Sequence, residues 1–409
     1  MRLVTEIVNI GQLVTMRGPA RPRRGVEMSD IGILEDAVIQ LEGELITFVG
    51  SRHDAPWIKA NQTVDAGGFL VTPGLVDAHT HAVFAGNRAE EFELRAQGAT
   101  YQEIAANGGG ILSSVAKTRL ATNADLKQET KSHLRWMKSC GTTTTEIKSG
   151  YGLDLESERK MLEVAGEFDS ELFSIVRTFL GAHSVPPEAQ SKDEYLDLVI
   201  NEMLPELKEE FEFVDMFVEE NYFDQQDARR LATEAKRLGK ELRLHVDQMR
   251  DSGGAALAAE LGAITADHLE HTGEDGIRAL AGSNTMPVLL PGSVYGIRSD
   301  RYPNAKLMME LGLPVVLASD FNPGSSPTPS LPFCMSLAMT KMGMSAAECL
   351  SACTINAAYS LNRGSKIGSI EPGKLGDLVV WNFRDYREIA YWIGGGLELT
   401  VMNKGGILN

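Results

Sequence analysis

From Gly74 to Asn322 the chain repeats one rhythm: an apolar run of strand length, then a helical pattern that stops at a glycine. No other feature restricts the fold as much, because this alternation marks βα units and a parallel sheet. Eight such runs can be read: GLVDAHTHAVF, GTTTTEIKSGYG, SIVRTFLGAHS, EFVDMFVEE, LRLHVDQM, AITADHLEH, TMPVLLPGS and LPVVLASDFN. Between them, Leu126, Thr130, Leu134 and Met137 form a stripe behind a cap at Asn123 and stop at Gly141. Leu231, Ala235 and Leu238 stop at Gly239, and Leu257, Ala258 and Leu261 at Gly262. Eight parallel strands with crossover helices close most economically as a (β/α)8 TIM barrel. A doubly wound open sheet is the alternative, but no GxGxxG follows the first strand.

The ends of the chain read differently. LVTEIVNI, GILEDAVIQLEG and ELITFVG look like antiparallel strands, with RGPARPRRG as an exposed loop whose RPRR cluster is solvated. After the barrel, SAAECLSACTINAAYSLN reads as one further helix, and IGSIEPGKLGDLVVWNF and LTVMNKGGIL return to strands. Unpaired edge strands at both ends would invite aggregation. The expected organisation is therefore a small β-sandwich domain from residues 1–65 plus 365–409, and a barrel over 66–364.

The 409 residues are 43% hydrophobic and 23% charged, which is a globular balance. A formal charge of −17 argues against nucleic acid and anionic membrane as partners. There is no 18-residue apolar span, and the start lacks a basic segment followed by an apolar run, so a cytoplasmic location is expected. Cys140, Cys334, Cys349 and Cys353 form no CxxC pair and read as reduced, buried thiols. The Met- and Ala-rich stretches LPFCMSLAMTKMGM and SAAECLSACTINAAYS are either core or a homodimer face, with core the default.

Six of the eight histidines fall at the C-terminal ends of expected barrel strands: His79, His81, His183, His245, His268 and His271. His53 and His133 lie elsewhere and are assigned no role. Barrel active sites are assembled at that end. In a strand, residues i and i+2 point the same way, so His79 and His81 share a face with α-carbons about 6 to 7 Å apart. Asp320, after strand 8, adds a carboxylate. Together His79, His81, His245 and Asp320 offer three nitrogens and one oxygen with room for water, the donor set of an open catalytic metal site.

PGLVDAHTH, FAGNRAEEFELRAQGATYQEIAANGGGI, EIKSGYGLD, FLGAHSVP, HVDQ, ADHLEH, SDFNPGSSP and IEPGKLGDLVVW span nearly the whole chain. They resemble the amidohydrolase superfamily, and more closely its branch that opens the ring of 4-imidazolone-5-propanoate in histidine degradation. The resemblance implies a metal-dependent cyclic-amide hydrolase with His79, His81, His245 and Asp320 as ligands. It implies substrate contacts at Arg88, Tyr151, His183 and Asn322, with Gly324 and Ser325 on the same loop. Gln248 falls at a catalytic and substrate-facing position where some members carry glutamate and others glutamine, so no general base is carried over there. Under this resemblance Asp320 moves the proton, His268 polarises the carbonyl with His183 sharing that role or holding the ring, and Arg88 binds the propionate as a guanidinium fork.

Superfamily relatives with two metals use a carbamylated lysine at strand 4. Here strand 4 has none, and Lys148 lies on strand 2, on one face with Glu146, so an ion pair and a single divalent metal per chain, Zn2+ or Fe2+/3+, are expected. The competing readings are a superfamily deaminase acting on a heterocyclic base with the same ligands, and a non-catalytic barrel with an assembly role. The latter predicts missing ligands, and none is missing.

Overall fold

In the computed structural model, which describes residues 3–100, 103–104, 108–169, 173–395, 397 and 399–407, all eight expected barrel strands are present. They are strand 1 (Leu75–Asp77), strand 2 (Thr142–Lys148), strand 3 (Ser174–Ala182), strand 4 (Phe213–Val218), strand 5 (Glu241–Val246), strand 6 (Thr265–His268), strand 7 (Met286–Leu289) and strand 8 (Val316–Leu317). Each pairs in parallel with the next. Strands 1 and 8 close the ring just beyond their ends, through a bridge between Thr80 and Phe321. There Asp320 N donates to His79 O at 3.0 Å and His81 N to Phe321 O at 2.9 Å. The closure thus lies at the candidate ligands themselves.

The helices follow the apolar stripes, with local corrections. Asn123–Ser139 buries Leu126, Thr130, Leu134 and Met137, but its cap is Thr122, not Asn123. Thr122 and Asp125 form a reciprocal capping box, which satisfies two end donors where Asn123 alone would satisfy one. His133 is buried on this helix, its Nδ1 2.9 Å from Ala82 O and its ring stacked on Phe84. SAAECLSACTINAAYSLN is two helices, Ala346–Ala352 and Ile355–Ser360. They part at Thr354 (φ −127°, ψ −91°), where the Asn356 amide is drawn to Arg23 N and O and to Val315 O. These helices and Leu331–Lys341 are largely buried inside the chain, so they are core.

Two small sheets join at one end of the barrel. The first runs Leu45–Ser51, Ala37–Glu42, Val4–Ile10, Gln62–Asp65, and the last pair is parallel, not antiparallel. The second takes Gln12–Val14, Ile33–Leu34 and Leu70–Pro73 from the N-terminal side and Leu378–Val380, Thr400–Asn403 and Gly406–Ile407 from the C-terminal side. Ile7, Ile39, Leu13, Val71, Leu378 and Met402 share one core between the sheets, which is the sandwich expected of the termini. Leu70–Pro73, inside the expected barrel segment 66–364, pairs with Leu378–Val380, so the chain passes into the barrel at Gly74. A Cβ on Gly74 would collide with the Thr143 side chain, which explains glycine at that crossing.

GILEDAVIQLEG also divides. Asp36 (φ 47°) separates Ile33–Leu34 from Ala37–Glu42, and the two pieces join different sheets. The RPRR loop is not wholly solvated, because Arg23 is 2% exposed and donates to the carbonyls of Met16, Pro19 and Arg21. Within the motif at 84–111, residues 101–102 and 105–107 lie outside the described residues. Among the described residues the four thiols are unpaired, with Cys334, Cys349 and Cys353 buried and Cys140 half-buried. No described helix is long and apolar enough to cross a membrane.

Candidate active site

The C-terminal ends of the strands bring His79, His81, His245, His268 and Asp320 together. His79 and His81 turn the same way, as residues two apart on an extended chain should, with ring centroids 5.4 Å apart. His245 lies at 4.5 Å from His79 by the same measure. Asp320 Oδ1 is 3.5 Å from both His79 Nε2 and His81 Nε2. Two groups of possible ligand atoms result, His79–His81–Asp320 and His79–His245–His268, sharing His79. His268 is therefore within ligand distance as well.

The donor set fits a metal on one physical test. His79 Nε2, His81 Nδ1 and His245 Nε2 are buried ring nitrogens without a hydrogen-bond partner, and such atoms are costly unless something binds them. The opposite nitrogens of His79 and His245 are occupied. His79 Nδ1 sits 2.6 Å from Asp267 Oδ2, and His245 Nδ1 sits 3.0 Å from Asp215 Oδ2. A carboxylate only accepts, so each Nδ1 carries the hydrogen and each Nε2 presents a lone pair.

Burial pushes the pKa of His79 and His81 well below the ordinary imidazole value, with Lys148 and neighbouring histidines adding to the effect. Neutral imidazole is the form that ligates. His183 is pushed down to about 3 by burial and by His245. Burial would lower His268 too, but the carboxylates of Glu270 and Asp320 outweigh it and raise its pKa, with Glu270 Oε1 3.2 Å from His268 Nδ1. Burial raises Asp320, against the pull of His268 and His245.

The backbone is strained here. Asp247, His268, Leu269 and Asp320 have φ of 55°, 82°, 71° and 53°, all in the left-handed region that non-glycine residues avoid. At strand 6 the consequence is direct. Asp267 and His268 are adjacent and on a regular strand would face opposite ways, yet both reach the site because the chain turns at His268.

Six of the remaining expected residues line the same cavity. Arg88, Tyr151, His183, Gln248, Asn322 and Ser325 border it beside His81, His245, His268 and Asp320. Arg88 also pairs with Glu91, Nε to Oε2 at 2.8 Å, so it bonds within its own helix as well as facing the cavity. Tyr151 and His183 lie 5.4 Å apart, and His183 Nδ1 donates to Gly150 O at 3.0 Å. Gln248 Nε2 donates to Ser293 Oγ at 3.3 Å.

Asn322 uses its amide on its own loop. Its Oδ1 accepts from Gly324 N and Ser325 N at 2.8 Å, and its Nδ2 donates to Asp320 O at 2.6 Å. It shapes the turn that carries Asp320 and also borders the cavity, where a substrate contact is expected of it. Gly324 does not border the cavity but underlies the Arg88 guanidinium, where a side chain would collide. His271, half-buried, borders an adjoining outer cavity.

Sequence reasoning missed the acids beneath the ligands, Asp215 and Asp267, and also Glu158. Glu158, fully buried, accepts from the backbone N–H of Gly150, Gly152 and Leu153 at 2.8–3.0 Å and so fixes the turn bearing Tyr151. The available signal was an acidic residue inside an apolar strand or helix face, which demands a partner. The expected ion pair of Lys148 with Glu146 is present at 2.9 Å, and Lys148 Nζ also meets Asp215 at 2.7 Å.

Residues 70–408 match the amidohydrolase family. The chain is 48% identical over 394 residues to the imidazolonepropionase of Solibacter usitatus, covering 95% of this chain and 94% of that one. It is 42% identical over 409 residues to that of Bacillus cereus, covering 99% and 96%. Among solved structures it resembles a 5-methylcytosine deaminase from Klebsiella pneumoniae (TM-score 0.76, 16% identity, 99% of this chain and 97% of that one). A triazine hydrolase variant (TM-score 0.73, 15% identity, 100% and 95%) shares the architecture as well. At such low identity these two bear on the fold alone. Family and donor cluster together indicate a metal cofactor. With near-complete coverage by such relatives and a matching barrel, the chain belongs to the amidohydrolase family and, within it, to the imidazolonepropionases.

Proposed function

We propose that the chain hydrolyses the ring of 4-imidazolone-5-propanoate to N-formimidoyl-L-glutamate, with His79, His81, His245 and Asp320 holding one divalent metal. The observation that carries this reading is the set of buried ring nitrogens without hydrogen-bond partners on His79, His81 and His245, of which His81 and His245 border, with Asp320, a cavity that Arg88 also borders. A metal held there supplies Lewis acidity, which lets water ionise near neutral pH. Asp320 accepts the proton of the attacking water and returns it to the ring nitrogen. Water oxygen bonds to the carbonyl carbon, the ring C–N bond breaks, and a carboxylate and a formimidoyl group result.

His268, whose Nδ1 lies 3.2 Å from Glu270 Oε1, polarises the carbonyl oxygen. Arg88 binds the propionate, which reconciles an anionic substrate with a chain of charge −17. Tyr151, Ser325 and the neutral His183 hold the ring, and Gln248 contacts substrate without serving as a base. Three nitrogens and one oxygen suit zinc and iron alike. A single metal is favoured because Lys148 Nζ is already taken by Glu146 and Asp215. Unpaired thiols support a reducing, cytoplasmic setting.

The test follows the ultraviolet band of freshly generated 4-imidazolone-5-propanoate, before and after chelation, with a metal count on the same sample. The expected result is chelator-sensitive decay with about one metal per chain. A metal-loaded sample that leaves the band unchanged would move the reading to a deaminase with the same ligands.

A further inference from the structure

Below the ligands lies a buried cluster of five charged side chains that the proposed reaction does not use. Glu146, Lys148, Asp215, Arg243 and Asp267 are each 0% exposed. Lys148 Nζ is 2.9 Å from Glu146 Oε1, 2.7 Å from Asp215 Oδ2 and 3.6 Å from Asp267 Oδ2. Arg243 joins from strand 5, with Nε 3.1 Å from Glu146 Oε1 and Nη2 3.7 Å from Asp267 Oδ2. Thr178 donates to Glu146 Oε1 at 2.5 Å. The two aspartates face both ways, since the atoms that meet Lys148 belong to the carboxylates that hold His79 and His245.

Such a cluster is an expensive core. Burying an ion costs several kcal/mol, and the pairing attraction often only offsets it. Here three carboxylates face two cations, so the cluster is not even neutral. Stability alone gives no reason for it. Its geometry does, because Lys148 is the one cation that reaches both aspartates, and through them both imidazoles.

We propose that Lys148 is a positioning residue of the metal centre, holding Asp215 and Asp267 so that His245 and His79 present their Nε2 atoms to one point. Glu146 and Arg243 fix Lys148 and Asp267 from the other side. This rests on the metal-centre reading above. It accounts for a lysine on strand 2 that neither carries a second metal nor touches substrate.

The test is Zn2+ affinity of the chelator-stripped chain, measured by competition with a chromophoric chelator, with circular dichroism and thermal unfolding on each variant. Asp215→Asn and Asp267→Asn keep shape and lower the excess negative charge. Each is expected to fold and to weaken Zn2+ binding about 10- to 100-fold. Lys148→Met is expected to weaken it similarly alone, but by less than about 3-fold further in the Asp215→Asn background, since it acts through that residue. Arg23→Met, which removes a buried cation far from the centre, should lower stability and leave the Zn2+ Kd unchanged.

Wild-type affinity in folded Asp215→Asn and Asp267→Asn overturns the proposal even when Lys148→Met does not fold. So does an undiminished Lys148→Met effect in the Asp215→Asn background, or an equal loss in Arg23→Met. A wild-type chain that binds no Zn2+ or Fe2+ overturns the metal reading instead, a result distinct from all of these.

Discussion

The assignment of Arg88 can be tested without changing Arg88. Gly324 lies against its guanidinium, and a Cβ built there would stand 2.8 Å from Nη2 and nearer still to Cζ and Nη1. Ordinary carbon contacts begin near 3.5 Å, so Gly324→Ala must displace the guanidinium by about 1 Å or more. The backbone tolerates alanine, because Gly324 has no positive φ. The guanidinium is the far end of a flexible chain but is buried in a pair with Glu91, so the displacement should cost some stability as well. It should break the alignment of a charge-assisted contact to the propionate, worth about 1.5–3 kcal/mol, or roughly 10- to 150-fold. The expected result is a KM raised by that factor, a kcat within about 3-fold of wild type, and a melting temperature lowered by only a few degrees. Steady-state kinetics on 4-imidazolone-5-propanoate with a thermal melt measures all three. An unchanged KM would refute the reasoning and return Arg88 to its ion pair with Glu91.

Other substitutions probe the remaining parts. His79→Ala, His245→Ala and Asp320→Ala should each abolish turnover and metal retention while circular dichroism stays native; full activity or full metal content in any one would refute that residue's role. Glu158→Gln leaves the turn at Tyr151 with a weaker acceptor for three backbone donors, so KM should rise several-fold, and kinetics identical to wild type would reduce Glu158 to a packing role. Asp377, buried at the seam of the sandwich with Oδ2 partnerless, has its pKa raised by burial from 3.8 to about 6. The folded state holds that proton more tightly than the unfolded one, so stability falls as pH rises from about 4 through about 6 and is level above. Asp377→Asn should remove this term, gaining about 3 kcal/mol at pH 8 relative to pH 4 by denaturant unfolding; a gain independent of pH would show that the carboxyl titrates normally.

The barrel was legible because its strands are short apolar runs rich in β-branched residues, and the ligands because histidine is scarce and gathered at strand ends. What escaped sequence reasoning shares one physical cause. Parity along a strand identifies the inward face but not what lies one layer down on that face. Arg243 is two residues before His245, and Asp77 two before His79, so the rule that found the ligands also points to a charged layer beneath them. FVDMFV and TADH still read as apolar strands with one odd acid. The partners of those acids lie on other strands, 188 residues apart for His79 and Asp267 and 30 for His245 and Asp215. Arg23 was misread for the same reason, since its carbonyl acceptors exist only once the loop has folded around it. In a barrel with helices on its outer face, hydropathy reports whether a residue is buried, and the register between strands decides whether a buried charge is balanced. An acid or base inside an otherwise apolar barrel strand is therefore best read as support for a site at that strand's end, and Asp215 and Asp267 are the two cases here.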